Sequence, residues 1–288
     1  MNDTTDDHIH LSLSEAHDSD ARWAFGTGFE DPLHGIDTTV PAGTDTTELA
    51  RLCVALGDDA LIAAQRLAQW VTRAPELEEE VALANIGLDL LGQARLLYSR
   101  AGQVDGTGRD EDFYAYFRNP ADFRNVTPTE LPNGDFAFST VRLLVLSCWR
   151  LALFQRLAAS APDPVLASIA AKGVNELAYH RQFAADWTVR LGDGTAESHR
   201  RTRAALDDMA PHLSELFAWS PGFSIFAADV EQEVTTVLHQ VLDAATLPMP
   251  AIEAISARCG REGEHTAHLG PLLAELQSVA RAHPEGTW

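Results

Sequence analysis

The stretch ELEEEVALANIGLDLLGQARLLYSRAG (residues 76–102) decides the fold. Val81, Ala84, Leu88 and Leu91, with Leu97 further on, recur at helical steps along one side, while Leu83, Ile86, Leu90 and Leu96 fill the opposite side. A helix apolar on both sides belongs inside a bundle. Asn85, Asp89 and Gln93 step by four, so they stack on one face with about 40° of drift per step. Buried polar groups without partners cost on the order of 1–3 kcal/mol each, more when charged. The bundle is therefore expected to hold a polar layer.

Three further segments complete the set of core helices. ELARLCVALGDDALIAAQRLAQWVTRA (48–74) is stopped by Pro75, and Asp58 and Asp59 after Gly57 read as capping residues rather than members of the layer. GDFAFSTVRLLVLSCWRLALFQRLAAS (134–160) is apolar on most sides apart from Arg142 and Arg150. IAAKGVNELAYHRQFAADWTVRLGDG (169–194) carries Glu176, with Tyr179 and His180 three and four residues on. The arginines are candidates to satisfy Asp89 and Glu176 by charge-assisted hydrogen bonds. The expected layer is Asn85, Asp89, Gln93, Arg142, Glu176, Tyr179 and His180.

Inward carboxylates on a bundle raise the question of a metal. A di-iron carboxylate bundle takes a Glu from each of two helices and a Glu-x-x-His pair from each of the other two. Neither the 76–102 helix nor the 169–194 helix supplies such a pair in either frame. The literal match, Glu262-Gly263-Glu264-His265, contains a glycine and stands alone. One pair cannot hold two irons, so no metal or catalytic residue is expected in this chain.

Composition narrows the class. With 288 residues, 45 % of them hydrophobic, the chain can bury one large core. A net charge of −21 with a single lysine, Lys172, argues against nucleic acid, whose phosphates need clustered cations. Cys53, Cys148 and Cys259 lie far apart and read as reduced core thiols. The acidic start, MNDTTDDHIHLSLSEAHDSD, has no signal-peptide pattern, and no uninterrupted apolar run suits a membrane span. A cytoplasmic location is expected.

Residues 1–45 read as an acidic arm, disordered or loosely docked through Trp23, Phe25 and Phe29, and 46–288 as one helical domain. Between the second and third helices about thirty residues, with a short helical piece near 110–117, exceed an ordinary bundle connection. This excursion is a candidate partner surface. Helical segments at 195–219, 226–247 and 260–282 follow, His265 heading the last in a capping or interface role. Trp70, Trp149, Trp187 and Trp219 read as packing or interface residues. The fold expected is all-α, a ferritin-like four-helix bundle with peripheral helices.

Several segments, in order, carry a resemblance: PELEEEVALANIGLDLLGQARLLYSRAG, GRDEDFYAYFRNPADFRN, Asn133-Gly134-Asp135-Phe136, AKGVNELAYHRQFAADWTVRLGDGTAESHRR and GREGEHTAHLGPLLAELQ. Over about residues 48–288 the chain resembles the family of ring-1,2-phenylacetyl-CoA epoxidase C subunits. The resemblance implies a non-catalytic structural subunit of a multicomponent monooxygenase in aerobic phenylacetate catabolism. Its partner would be the related catalytic subunit of the epoxidase, which carries the di-iron centre, in a hetero-oligomer with the other epoxidase subunits. Electrons would come from NADPH through a reductase subunit bearing flavin and an iron–sulfur cluster. Leu90, Gln93 and Tyr179 would stand where the related catalytic subunit has its Glu-x-x-His pairs. Two alternatives remain: a catalytic di-iron subunit with an atypical set such as Asp58, Asp89, Glu176 and His180, and a stand-alone scaffold.

Overall fold

Short acidic and hydroxyl residues set where the helices begin. Asp45 accepts the backbone N–H groups of Thr47 and Glu48, opening α1 (Thr46–Ala68). Asp110, Asp135, Asp163 and Thr195 cap α3 (Glu111–Tyr116), α5 (Phe136–Ser160), α6 (Pro164–Gly192) and α7 (Ala196–Met209) in the same way. The remaining helices are α2 (Leu77–Val104), α4 (Thr127–Glu130), α8 (Ser224–Ala244), α9 (Leu269–Leu276) and α10 (Ser278–Ala282). This computed structural model describes residues 36–218, 224–252 and 259–286, excepting the side chains of 224–227. No strand occurs among the described residues. The arm expected over 1–45 falls outside them as far as residue 35, with Trp23, Phe25 and Phe29, and so does Trp219.

The described body is all-α and ferritin-like. α1 packs along α2 and α5 along α6, each pair joined by a short connection, and α2 meets α6 to close the four-helix bundle. α7 and α8 lie against α5 and α6. α8 buries Val230, Val234, Leu238 and Leu242, a stripe at four-residue steps, and leaves its other face to solvent. α5 is long and apolar enough to cross a membrane, with mean hydropathy 1.5, but 83 % of that window is buried inside the body. Its apolar girth thus fits a helix surrounded by α6, α7 and α8. Trp70, Phe136 and Trp187 form an edge-to-face chain with centroids 5.7 and 5.1 Å apart, joining the turn after α1 to α5 and α6.

Three expectations need correction, and the long connection takes a definite form. α1 is one continuous helix, so Asp58 and Asp59 are interior residues and not caps; both are buried. It ends at Ala68, before Pro75, and the chain then turns through Thr72 at φ 66°. The 260–282 segment is not one helix. A 3₁₀ turn at Gly260–Glu262 is broken by Gly263 at φ 84°, and α9 starts only at Leu269. Finally, the long connection after α2 is folded back as a strap, with Tyr114, Phe123, Val126 and all four residues of α4 buried. Its inward face is committed to its own body, while 106–110 and 119–122 stay exposed.

Candidate functional site

The polar layer of the bundle is centred on Arg150 of α5. Its Nε donates to Gln93 Oε1 at 2.9 Å and its Nη1 to the Leu56 carbonyl at 3.1 Å, while the guanidinium lies 4.4 Å from the Phe154 ring centre. The Gln93 amide donates in turn to Glu176 Oε2 at 2.8 Å. Beside them His180 Nε2 meets Asp89 Oδ2 at 3.0 Å. Burial raises the pKa of Glu176; the Asp89 charge adds to this, and the Gln93 hydrogen bond opposes it. Small residues make the room. A Cβ on Gly173 would stand 2.7 Å from the Phe154 ring and 3.3 Å from Gln93 Nε2.

A second network, at the strap, is drier. Asp58, fully buried, accepts from the Tyr98 hydroxyl at 2.6 Å, the Arg124 N–H at 2.7 Å and the Arg118 guanidinium. Asp59 accepts from the Val126 N–H at 2.8 Å and from Arg261 at 2.6 Å. Glu130 accepts from Asn125 and is 2.8 Å from His265 Nδ1, whose Nε2 lies 3.0 Å from the Phe123 carbonyl oxygen. Glu215 holds the Thr127 and Gly260 N–H groups at 3.0 and 2.8 Å. Carboxylates on α1, on the strap and before α8 thus take the backbone donors that an irregular buried segment cannot pair within itself. Arg100 and Asp163, both buried, make a further ion pair that ties α2 to the start of α6.

The structure brings together only part of the layer read from sequence. Gln93, Glu176 and His180 point into the bundle, and Asp89 reaches the same group from its edge with a side chain 37 % exposed. Asn85 is exposed and Tyr179 is 51 % exposed, so neither belongs to the layer. With 3.6 residues per turn, successive four-residue steps drift about 40° round the helix, and Asn85 lies on the solvent side. Arg142 is buried but bonds the Leu131 carbonyl and the Asn133 side-chain oxygen, sealing the entry to α5, and does not serve Asp89 or Glu176. Arg150 bonds neither carboxylate directly; it reaches Glu176 only by way of Gln93.

Sequence reasoning missed the strap network. Two consecutive acids inside an unbroken apolar helix were the available signal at Asp58 and Asp59. His265 was read with its local Glu262, whereas its partner is Glu130, 135 residues away.

The residues present do not fit a pair of irons. At the centre of the layer stands a guanidinium, which keeps its proton in proteins and would repel a divalent cation. On α2 an apolar side chain, Leu90, and an amide, Gln93, stand where a Glu-x-x-His pair would be needed. Asp58 of the atypical set is fully engaged by Arg118, Tyr98 and the strap. Among the described residues no group of three or more His, Cys, Asp or Glu side chains is placed to hold a metal ion.

Comparison with known proteins agrees with the resemblance in the sequence. Residues 36–288 match the model of the phenylacetic acid catabolic protein family. The chain is also 39 % identical, over 249 residues, to the C subunit of the 1,2-phenylacetyl-CoA epoxidase of Escherichia coli (strain K12), an alignment covering 84 % of this chain and 99 % of that protein. On both counts this chain belongs to the phenylacetic acid catabolic protein family.

Proposed function

We propose that this chain is a non-catalytic structural subunit of a phenylacetyl-CoA 1,2-epoxidase, holding a di-iron catalytic subunit in a hetero-oligomer. The observation that carries the reading is Arg150: a cation, bonded to Gln93 and Leu56, occupies the layer in which a catalytic bundle of this architecture would gather its metal ligands. Iron would then belong to the partner, and NADPH, flavin and iron–sulfur chemistry to a reductase subunit.

The outer face of α2 supports the association. Leu77, Val81, Leu88 and Leu91 are 70, 51, 64 and 37 % exposed, and with Ala84 they follow alternating steps of four and three. That 3.5-residue repeat is the seam of a helix packed against another helix. Here the partner helix would come from the other subunit, with Tyr179 of α6 at the edge. Burying such a stripe would stabilise a complex more than an isolated chain.

The test is reconstitution. Catalytic and reductase subunits are assayed for phenylacetyl-CoA-dependent NADPH oxidation and product formation, with and without this chain, and iron is quantified on each polypeptide. Loss of turnover without this chain, with iron on the other subunit, is expected. Full turnover in its absence, or stoichiometric iron on this chain, would overturn the proposal. Leu88→Asp should abolish co-purification while leaving the melting curve of the isolated chain in place.

A further inference from the structure

The outward stripe of α2 reads nearly the same in both directions. Leu77, Val81, Ala84, Leu88 and Leu91 are spaced by four, three, four and three residues, with large side chains at both ends and the smallest in the middle. Leu77, Val81, Leu88 and Leu91 are 37 to 70 % exposed, and Asn85 beside them is exposed as well. The charges along this helix are lopsided. Glu76, Glu78, Glu79 and Glu80 crowd its start, whereas Arg95, four residues past Leu91, stands beyond the other end of the stripe with a side chain 62 % exposed.

We propose that this stripe pairs with itself: two copies of the chain associate through α2, antiparallel, about a two-fold axis near Ile86. A two-fold interface uses the same patch twice, so every contact occurs in duplicate. In this register Ala84 faces the partner's Leu88 and Val81 faces the partner's Leu91, a smaller side chain opposite a larger one in each layer. Arg95 then reaches the partner's Leu77 and the acids beside it. The parallel arrangement fails on charge. It sets the four glutamates of one copy against the same four of the other and aligns the helix dipoles, whereas the antiparallel pair opposes the dipoles and joins unlike ends. From residue 77 to residue 91 the stripe spans about 21 Å at the helical rise. One helix on one helix over that length falls short of the roughly 800 Å² per partner of a standard interface, so the pair is weak. A catalytic subunit that binds the same residues therefore displaces it. That displacement rests on the function proposed above; the self-pairing does not.

Sedimentation of the isolated full chain over a concentration series reads the pairing, and disulfide trapping reads its direction. The parent chain is expected to pass from monomer to dimer as concentration rises, and Leu88→Asp to stay monomeric with an unchanged circular-dichroism spectrum. Trapping uses a Cys259→Ser background, because Cys53 and Cys148 are buried. Val81→Cys chains mixed with Leu91→Cys chains should form a mixed disulfide under mild oxidation, and Val81→Cys chains alone should link several-fold less. A parent chain that stays monomeric, a dimer that Leu88→Asp leaves intact, or Val81→Cys chains that link to one another as readily as to Leu91→Cys chains would each overturn the proposal. Adding the catalytic subunit should abolish the mixed disulfide. Its persistence in a complex that turns over would overturn the displacement and leave the function proposed above standing.

Discussion

The two polar networks of this protein are built to different standards. At the seam of α2 and α6 it is the acids that are partly exposed: an amide bridges the buried Arg150 to Glu176, and a histidine meets an Asp89 that still touches solvent. At the strap Asp58 and Asp59 are 0 and 2 % exposed, each bonded to a guanidinium and to strap backbone. A polar stripe on a core helix therefore does not mark where burial is deepest. The dry charges sit where a long connection must be pinned, because its backbone donors need acceptors that a regular helix would provide internally.

The sharpest way to break this contrast is to remove one carboxylate from each network. Asp58→Ala strands Arg118 and orphans the Tyr98 hydroxyl and the Arg124 N–H, and it should cost about 3–5 kcal/mol. Asp89→Ala removes a single contact made by a side chain that is itself 37 % exposed, at a smaller cost of about 1 kcal/mol. Chemical denaturation of both variants measures the difference, and equal midpoints would mean the two networks are equivalent.

The two faces of α2 give the next largest effect. Leu90→Ala empties a site in the bundle core, at about 2–5 kcal/mol, while Leu88→Ala should stay within about 0.5 kcal/mol in the isolated chain. If Leu88→Ala were as damaging as Leu90→Ala, the stripe would be packed within this chain and unavailable to a partner.

Backbone proximity offers a smaller probe. A Cβ on Gly260 would fall 2.0 Å from the Asn125 carbonyl oxygen, where the last segment crosses the strap, so Gly260→Ala should cost about 1–3 kcal/mol or more. Gly92 of α2 meets nothing within 4 Å, and Gly92→Ala should stabilise the helix by about 0.4–1 kcal/mol. Thermal melts of the pair would show whether the strap crossing is as tight as the geometry says.

The smallest expected effect is a pH dependence confined to the strap. Burial lowers the pKa of His265, but the Glu130 hydrogen bond, the Phe123 carbonyl and nearby carboxylates outweigh it, so the net shift is upward from 6.5. Burial raises Glu130, but hydrogen bonds from His265, Thr266 and Asn125 bring it below 4.5. The histidine's contribution is complete below 6.5 and is lost as pH rises through its folded value; the glutamate's is complete above 4.5 and is lost as pH falls through its folded value. Hydrogen-exchange protection in 259–286, corrected for the intrinsic pH dependence of exchange, should therefore be greatest between these limits and fall on both sides. A flat profile would remove the pair from the strap's anchoring.

How much was legible in the sequence follows the range of the interactions. The four core helices showed themselves through local periodicity, and three members of the inner layer, Gln93, Glu176 and His180, through polar positions on apolar faces. Asn85 and Tyr179 were misplaced because periodicity says that a residue shares a face, not how far the neighbouring helix extends over it. Asp58, Asp59 and Glu130 were missed because Arg118, Arg261 and His265, with which they pair, lie 60 to 202 residues away, beyond what spacing can connect.

The sequence by itself determined the all-α class, the bundle and the lack of paired Glu-x-x-His ligands on its core helices, since helix periodicity and residue identity are local properties. Only the tertiary structure decided that Arg150 stands at the centre of the layer, that Arg142 seals a loop instead, and that the Leu77–Leu91 stripe faces outward. Each of these depends on which chain segment fills the space opposite a side chain, and that is settled by packing, where burial, desolvation and hydrogen-bond satisfaction are decided together.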